Sequence, residues 1–204
     1  MVNQLDISNL TLFRGNKCLF QNINFSLKAG MLILIKGENG SGKTSLLRTI
    51  AGLIEPHDGL IEWNNKNINK NRQNYHQNIS WLSHKHGFKG HLSIKENFQF
   101  ESGLWVRFEK NNLNVLEELS LLEVSDLPFN YLSAGQKRRA SIARLMLTQV
   151  PLCLLDEPTS NLDSTSSQVV KNWIEQHIRN KGLCLLATHQ DTFFDKASEV
   201  IELV

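Results

Sequence analysis

Apolar positions change their spacing several times along these 204 residues, and each change marks an element. Between Leu5 and Phe13, and again between Ile23 and Leu27, apolar and polar residues alternate, the period of an antiparallel strand with one buried face. The run MLILI at 31–35 is apolar throughout, as a strand covered on both faces must be, so a mixed sheet is expected. From Ser45 to Ala51 the spacing becomes helical, with Leu46, Leu47 and Ile50 on one face and Gly52 as the stop. Leu60 to Trp63 reads as a short strand. The asparagines that follow (Asn64, Asn65, Asn67, Asn69, Asn71 and Asn74) predict turns and loops at the surface as far as Asn78. Ile79 to Leu82 returns to the core.

From about 86 to 148 the strand signal gives way to helical patterns, the mark of a helical subdomain inserted in a sheet-based core. Ser93 followed by Glu96 forms a capping box, opening a helix whose Phe98, Phe100, Trp105 and Phe108 supply apolar bulk, aromatics expected to pack a core, with a partner-binding groove as the lesser alternative. The fold class is therefore α/β, with a mixed central sheet, an N-terminal antiparallel β subdomain and an inserted helical subdomain. The length suits one such domain over 1–204 and is too short for two. No internal repeat is visible.

Composition narrows the function by exclusion. A net charge of +2 without a Lys/Arg block gives no electrostatic footprint for nucleic acid. Cys18, Cys153 and Cys184 sit in apolar or strand-like surroundings without C-x-x-C spacing, so packed, reduced thilos of a cytosolic protein are expected rather than a disulfide framework or zinc site. The N-terminus lacks a signal-peptide pattern, and no apolar stretch approaches the roughly 20 residues that span a bilayer, so a chain soluble by itself is expected.

Two constellations carry chemistry. Residues 37–44 read GENGSGKT, a complete G-x-x-x-x-G-K-[ST] loop between an apolar strand and a helix. Gly37, Gly40 and Gly42 allow a tight turn in which the N–H groups of Glu38, Asn39, Ser41 and their neighbours converge on a polyphosphate at the mouth of a helix beginning near Lys43. Lys43 would reach the β- and γ-phosphates of ATP, and the Thr44 hydroxyl would ligate Mg²⁺, with Ser45 following in the helix. Residues 151–158, PLCLLDEP, form an apolar strand ending in adjacent carboxylates that face different ways. Asp156 fits the acid that supports Mg²⁺ through water, and Glu157 fits a base for the water attacking the γ-phosphate.

The run LSAGQKRR at 132–139 adds a second capping box, Ser133 with Gln136, and so a second helix N-terminus at Ala134 with a hydroxyl and Gly135 facing outward. Two such anion sites meet at one triphosphate most easily in a two-fold homodimer, each chain's Ser133 and Gly135 closing the ATP of the other. This run resembles the signature sequence of ABC-type ATPases. GENGSGKT resembles their Walker A, LCLLDEP their Walker B, SNLD at 160–163 their D-loop and ATHQ at 187–190 their switch histidine. The resemblance implies that Asp163 communicates across the dimer and that His189 contacts the γ-phosphate and the catalytic water. It also offers Phe13 as the ring stacking on adenine; core packing of that aromatic stays open as the alternative.

One position departs from the family. After the strand ISWL, where the family has a glutamine ligating Mg²⁺, this chain has Lys85, an ammonium with three donors and no acceptor. Gln77 precedes the strand and does not replace it. Within the family, YHQNISWLSHKHGFKGHLSIKENFQF at 75–100, LSAGQKRRASIARL at 132–145 and ATHQ resemble the ATP-binding subunits of haem exporters in cytochrome c biogenesis. That implies a peripheral protein on the cytoplasmic side of the inner membrane, docked to separately encoded transmembrane subunits. His84, His86 and His91 fall in the loop expected to meet those subunits and read as interface or solvent residues, so no direct haem binding is expected. A soluble ABC ATPase acting on DNA or the ribosome would need a heptad insertion, tandem domains or basic arms, which the sequence lacks. A non-hydrolysing scaffold, suggested by Lys85, conflicts with the presence of Lys43, Asp156, Glu157 and His189.

Overall fold

The computed structural model describes residues 3–83, 85–104, 107–109, 113–189 and 191–203. These form two compact units, one of residues up to 81, 151–157 and from 176 onward, the other of residues 82–150 and 158–175.

In the first unit, β1 (Gln4–Arg14) lies antiparallel to β2 (Lys17–Lys28) and to β4 (Asp58–Trp63), with β5 (Lys66–Asn67) beyond, in the order β2-β1-β4-β5. The alternation seen in the sequence puts Leu5, Ile7, Leu10, Phe25, Leu27, Ile61 and Trp63 into the core. A second, five-stranded sheet has the order β6-β7-β8-β3-β9, from β6 (Ile79–Leu82), β7 (Leu152–Asp156), β8 (Leu183–Ala187), β3 (Leu32–Lys36) and β9 (Glu199–Glu202). Its β3–β8, β3–β9 and β7–β8 pairs are parallel. The mixed character expected of one sheet is thus divided between an antiparallel and a parallel sheet. Continuous apolar runs mark the latter because both faces are covered. Helix α1 (Lys43–Ile50) buries Leu46, Leu47 and Ile50 in the core shared by both sheets.

The asparagine-rich stretch corrects the expectation of surface loops. Residues 66–76 contain β5, a 3-10 turn over Ile68–Lys70 and α2 (Arg72–His76). Asn67 caps the 3-10 turn, its Oδ1 accepting from the Asn69 N–H (2.8 Å), while Ile68 and Tyr75 turn inward. The Tyr75 hydroxyl donates to the Ile50 carbonyl (2.8 Å), occupying an acceptor at the end of α1. Turn preference decided the local backbone; the interspersed apolar residues decided burial.

The second unit holds α3 (Ile94–Leu104), α4 (Leu113–Glu118) and α5 (Ala134–Leu147), and α6 (Ser164–Arg179) begins in it. The Ser93–Glu96 box forms: the Ser93 N–H donates to Glu96 Oε2 (2.7 Å) and the Glu96 N–H to Ser93 Oγ (3.1 Å). Phe98 and Phe108 are buried with ring centroids 5.9 Å apart, but Phe108 does not belong to the helix as expected: α3 ends at Leu104, and Phe108 bridges to Thr148; Phe88 stacks on Phe129 at 4.4 Å. Phe100 does not join this core; two residues past Phe98 it falls on the far side of α3 and is 46% exposed. Trp105 lies outside the described residues.

Half-buried His177 near the end of α6 donates from Nε2 to the Leu183 carbonyl (3.3 Å). Desolvation holds its pKa below the ordinary 6.5, only partly offset by the Leu183 and Pro151 carbonyls. The unfolded chain therefore binds the proton first, and this contribution to stability is present above 6.5 and lost as the pH falls below it. His177→Gln is expected to reduce the loss of unfolding free energy between pH 7.5 and 5 in urea titrations; an unchanged acid slope would remove His177 as a source.

Candidate functional site

Strand β3 delivers the chain into the glycine loop, and α1 leads away from it. Gly37 has φ 146°, and a Cβ there would lie 2.4 Å from both the Leu203 carbonyl oxygen and Ser41 Oγ, so glycine is obligatory. The Lys43 ammonium folds over the loop and donates to the carbonyls of Gly37 (2.7 Å) and Glu38 (2.9 Å). Ser41 Oγ is buried and meets no hydrogen-bond partner among the described residues, a donor that a phosphate oxygen would satisfy. Ser45 sits in the first turn of α1, its carbonyl accepting from Thr49.

The two acids diverge because Asp156 closes β7 while Glu157 follows it in left-handed backbone. Thr44 Oγ1 donates to Asp156 Oδ2 (2.8 Å), joining the first turn of α1 to the strand end. Glu157, next along, has φ 47° and turns its carboxylate to the end of β8. Its Oε1 accepts from the His189 N–H (3.1 Å) and from His189 Nδ1 (2.8 Å), and its Oε2 accepts from Thr188 Oγ1 (3.2 Å). A carboxylate accepting at Nδ1 fixes the proton there and leaves Nε2 to face outward. Side-chain exposure is 60% for His189 and 12% for Glu157.

Loop residues 37–41 with Cys18, Leu19, Thr188, His189 and Leu203 line a cavity of about 850 Å³, a size that holds a nucleotide. Glu38, Asn39 and Gly40 form its exposed rim. Phe13 does not line it. Its ring is 40% exposed and meets His57 edge-on at 5.1 Å, but it pairs across the strands with Cys18, which puts the two on one face of the sheet. Cys18 is exposed, correcting the expectation of a packed thiol: it lies beside the turn that closes the β1–β2 hairpin, whereas Cys153 and Cys184, partners on β7 and β8, are buried and their thiol pKa values pushed up by desolvation. Sequence reasoning missed Cys18 and Leu19, which only strand register brings to the cavity. Thr188 was visible beside His189 but carried no signal of its own.

The second unit holds the other candidate residues. Ser133 caps α5 through a reciprocal box, its Oγ accepting from the Gln136 N–H (3.2 Å) and its N–H donating to Gln136 Oε1 (2.8 Å). The cap uses the oxygen of Ser133 as acceptor, so the hydroxyl proton stays available to an outside anion. Ser133 and Ala134 are exposed, and a Cβ added at Gly135 would meet nothing within 4 Å. Asp163 has a role the sequence reading did not give it. It caps α6 through the Ser166 N–H (2.7 Å) and hydroxyl (3.1 Å) and pairs with Arg139 (3.3 Å). These bonds, the Ser166 N–H foremost, hold its carboxyl below the usual range. Lys85 is exposed, its backbone pinned by Ser83, whose hydroxyl donates to the Lys85 carbonyl (2.9 Å). His86 is not left to solvent: its Nδ1 bonds Ser141 Oγ (2.8 Å), its ring meets Phe129, and burial with Arg138, Lys137 and Arg144 nearby lowers its pKa. His91 is exposed, and His84 lies outside the described residues.

Comparison with known proteins gives this arrangement a family. The model of the ABC transporter family matches residues 20–160. A cytochrome c biogenesis ATP-binding export protein, CcmA, of Yersinia pestis bv. Antiqua is 40% identical over 92% of this chain and 86% of its own length. The protein of the same name from Histophilus somni is 40% identical over 97% and 92%, and that of Vibrio parahaemolyticus 38% over 94% of each. Among solved structures, an ATP-binding subunit of an ABC transporter superposes with a TM-score of 0.90 at 20% identity, covering 98% of this chain and 85% of its own. A dimeric ATP-binding cassette in a post-hydrolysis state with ADP and Pi superposes with a TM-score of 0.85 at 22% identity, covering 98% and 94%; both likenesses speak to the fold. On its sequence this chain belongs to the ABC transporter family, among the cytochrome c biogenesis ATP-binding export proteins called CcmA.

Proposed function

We propose that this chain binds and hydrolyses ATP as the nucleotide-binding subunit of the haem exporter complex of cytochrome c biogenesis. The observation that carries the proposal is a cavity lined by phosphate-loop residues 37–41 and by His189, whose ring holds the Glu157 carboxylate, with the Thr44–Asp156 pair in the first turn of the helix that leaves the loop. Residues 37–41 cradle the phosphates, Lys43 leaves its loop carbonyls for the β- and γ-phosphates, and Glu157 takes a proton from the attacking water. His189 holds Glu157 through Nδ1 and presents Nε2 to the γ-phosphate. Thr44 and Asp156 offer the hard oxygen donors suited to Mg²⁺, Thr44 directly and Asp156 through water. When bound, Mg²⁺ would supply neutralisation of the charge on the phosphates.

In this reading the chain is one ABC ATPase domain with the helical segment of about 86–148 inserted in the nucleotide-binding core. Two copies close over two ATP molecules, Ser133 and Gly135 of each facing the other's triphosphate and Asp163 linking the sites. Phe13, sharing a sheet face with Cys18, stacks on the adenine. Separately encoded transmembrane subunits, met on the cytoplasmic side of the inner membrane, carry the export; no helix among the described residues is long and apolar enough to cross a membrane. The test is genetic and biochemical together. A cell lacking this chain loses haem-bearing c-type cytochromes; the native gene restores them and Lys43→Ala does not. Unchanged cytochrome c in the deleted cell would move the transport assignment elsewhere.

A further inference from the structure

Thr188 has no part in the reading above, yet its placement is unusual for its chemistry. It ends a strand whose residues 183–187 are buried and apolar, and it is itself 0% exposed. Valine would fill the same space in that setting, and a buried hydroxyl is kept only where it is bonded. The bond goes to Glu157 Oε2 at 3.2 Å.

We propose that Thr188 is a positioning residue for hydrolysis, fixing one edge of the Glu157 carboxylate so that the base keeps its aim while His189 moves. The proposal rests on Glu157 being the base. The two edges of the carboxylate are served by different donors: Oε1 by the backbone and ring of His189, Oε2 by Thr188. These donors differ in freedom. The His189 side chain is 60% exposed and can swing to a phosphate, whereas Thr188 is enclosed and its N–H donates to the Ile35 carbonyl (3.2 Å) just ahead of the phosphate loop. The Glu157 N–H in turn donates to the Ala187 carbonyl (2.9 Å), so residues 157 and 188 are held in register by the sheet itself. The terminal torsion of a glutamate is soft, and a carboxylate without its fixed donor turns about it. Thr188 therefore sets the angle at which Glu157 meets water: although the residue borders the cavity, its buried hydroxyl is directed to Glu157.

The test is steady-state ATP hydrolysis and nucleotide affinity, the latter read with a fluorescent ATP analogue, in native chain, Thr188→Val, Thr188→Ala and Thr188→Ser. Removal of the hydroxyl lowers kcat about tenfold, the scale of one hydrogen bond, and leaves KM and affinity within about twofold; serine restores kcat. Thr188→Ala adds no bulk, so it answers the question if valine upsets folding. Native kcat in either hydroxyl-free variant, or no rescue by serine, overturns the proposal. Glu157→Gln run alongside separates the two levels: if it too turns over at the native rate, the base assignment falls and Thr188 with it, whereas an inactive Glu157→Gln beside a fully active Thr188→Val overturns Thr188 alone.

Discussion

Glu157→Gln is expected to leave ATP binding intact and to cut phosphate release at least about 100-fold, the usual contribution of a placed general base. The amide keeps the shape of the carboxylate but cannot accept the proton of the attacking water. It also places an NH₂ where one oxygen now accepts, opposite either Thr188 Oγ1 or His189 Nδ1. With turnover blocked, the closed state accumulates, so light scattering after gel filtration in Mg·ATP should show a dimer that the native chain forms only transiently. Adding Ser133→Arg should return the variant to a monomer. The hydroxyl proton there is not used by the capping box, and the space beside Gly135 is open, so both are suited to an approaching triphosphate and neither tolerates a guanidinium in its path. Native-like phosphate release from the amide variant would remove Glu157 from the mechanism, and a monomer in saturating nucleotide would dismiss the sandwich.

Gly37→Ala should abolish detectable ATP binding in equilibrium titration and lower thermal stability. The added Cβ would approach a backbone oxygen of Leu203, which no rotamer change can move, at a φ that alanine adopts only under strain. Overpacking and backbone strain together place the loss at about 2–4 kcal/mol, roughly 4–15 °C in Tm for a chain of this size. Gly40→Ala is the control. Gly40 also has positive φ (88°), but its Cβ would meet nothing within 4 Å, so it carries strain of about 1–2 kcal/mol without the collision. Equal loss of binding in the two variants would show that backbone freedom, and not the contact with Leu203, makes position 37 special.

How much of this was legible depended on whether the deciding interactions were local. The phosphate loop, the acidic strand end and the capping boxes of Ser93–Glu96 and Ser133–Gln136 are built from neighbours a few residues apart, so their residue types carry the signal. The asparagine-rich stretch misled because turn propensity is a property of the backbone and says nothing of where Ile68 and Tyr75 go once the turns are made. Phe100 misled for the opposite reason: an aromatic suggests a core, but helical phase puts it on the solvent side of α3. Cys18 looked packed from its neighbours Leu19 and Phe20, yet it stands at the mouth of the cavity.

From sequence alone came the α/β class, the strand and helix that bracket the phosphate loop, and the resemblance to the ABC family, because each is carried by short stretches of chain. The tertiary structure decided the division of the strands between two sheets. It also decided that Thr44 meets Asp156 across more than a hundred residues, and that Glu157 is held on two edges by Thr188 and His189. Those contacts arise from strand order in the parallel sheet, where β7 lies beside β8 although a helix and its connections separate them along the chain. Spacing in one dimension cannot encode which strand ends become neighbours in three.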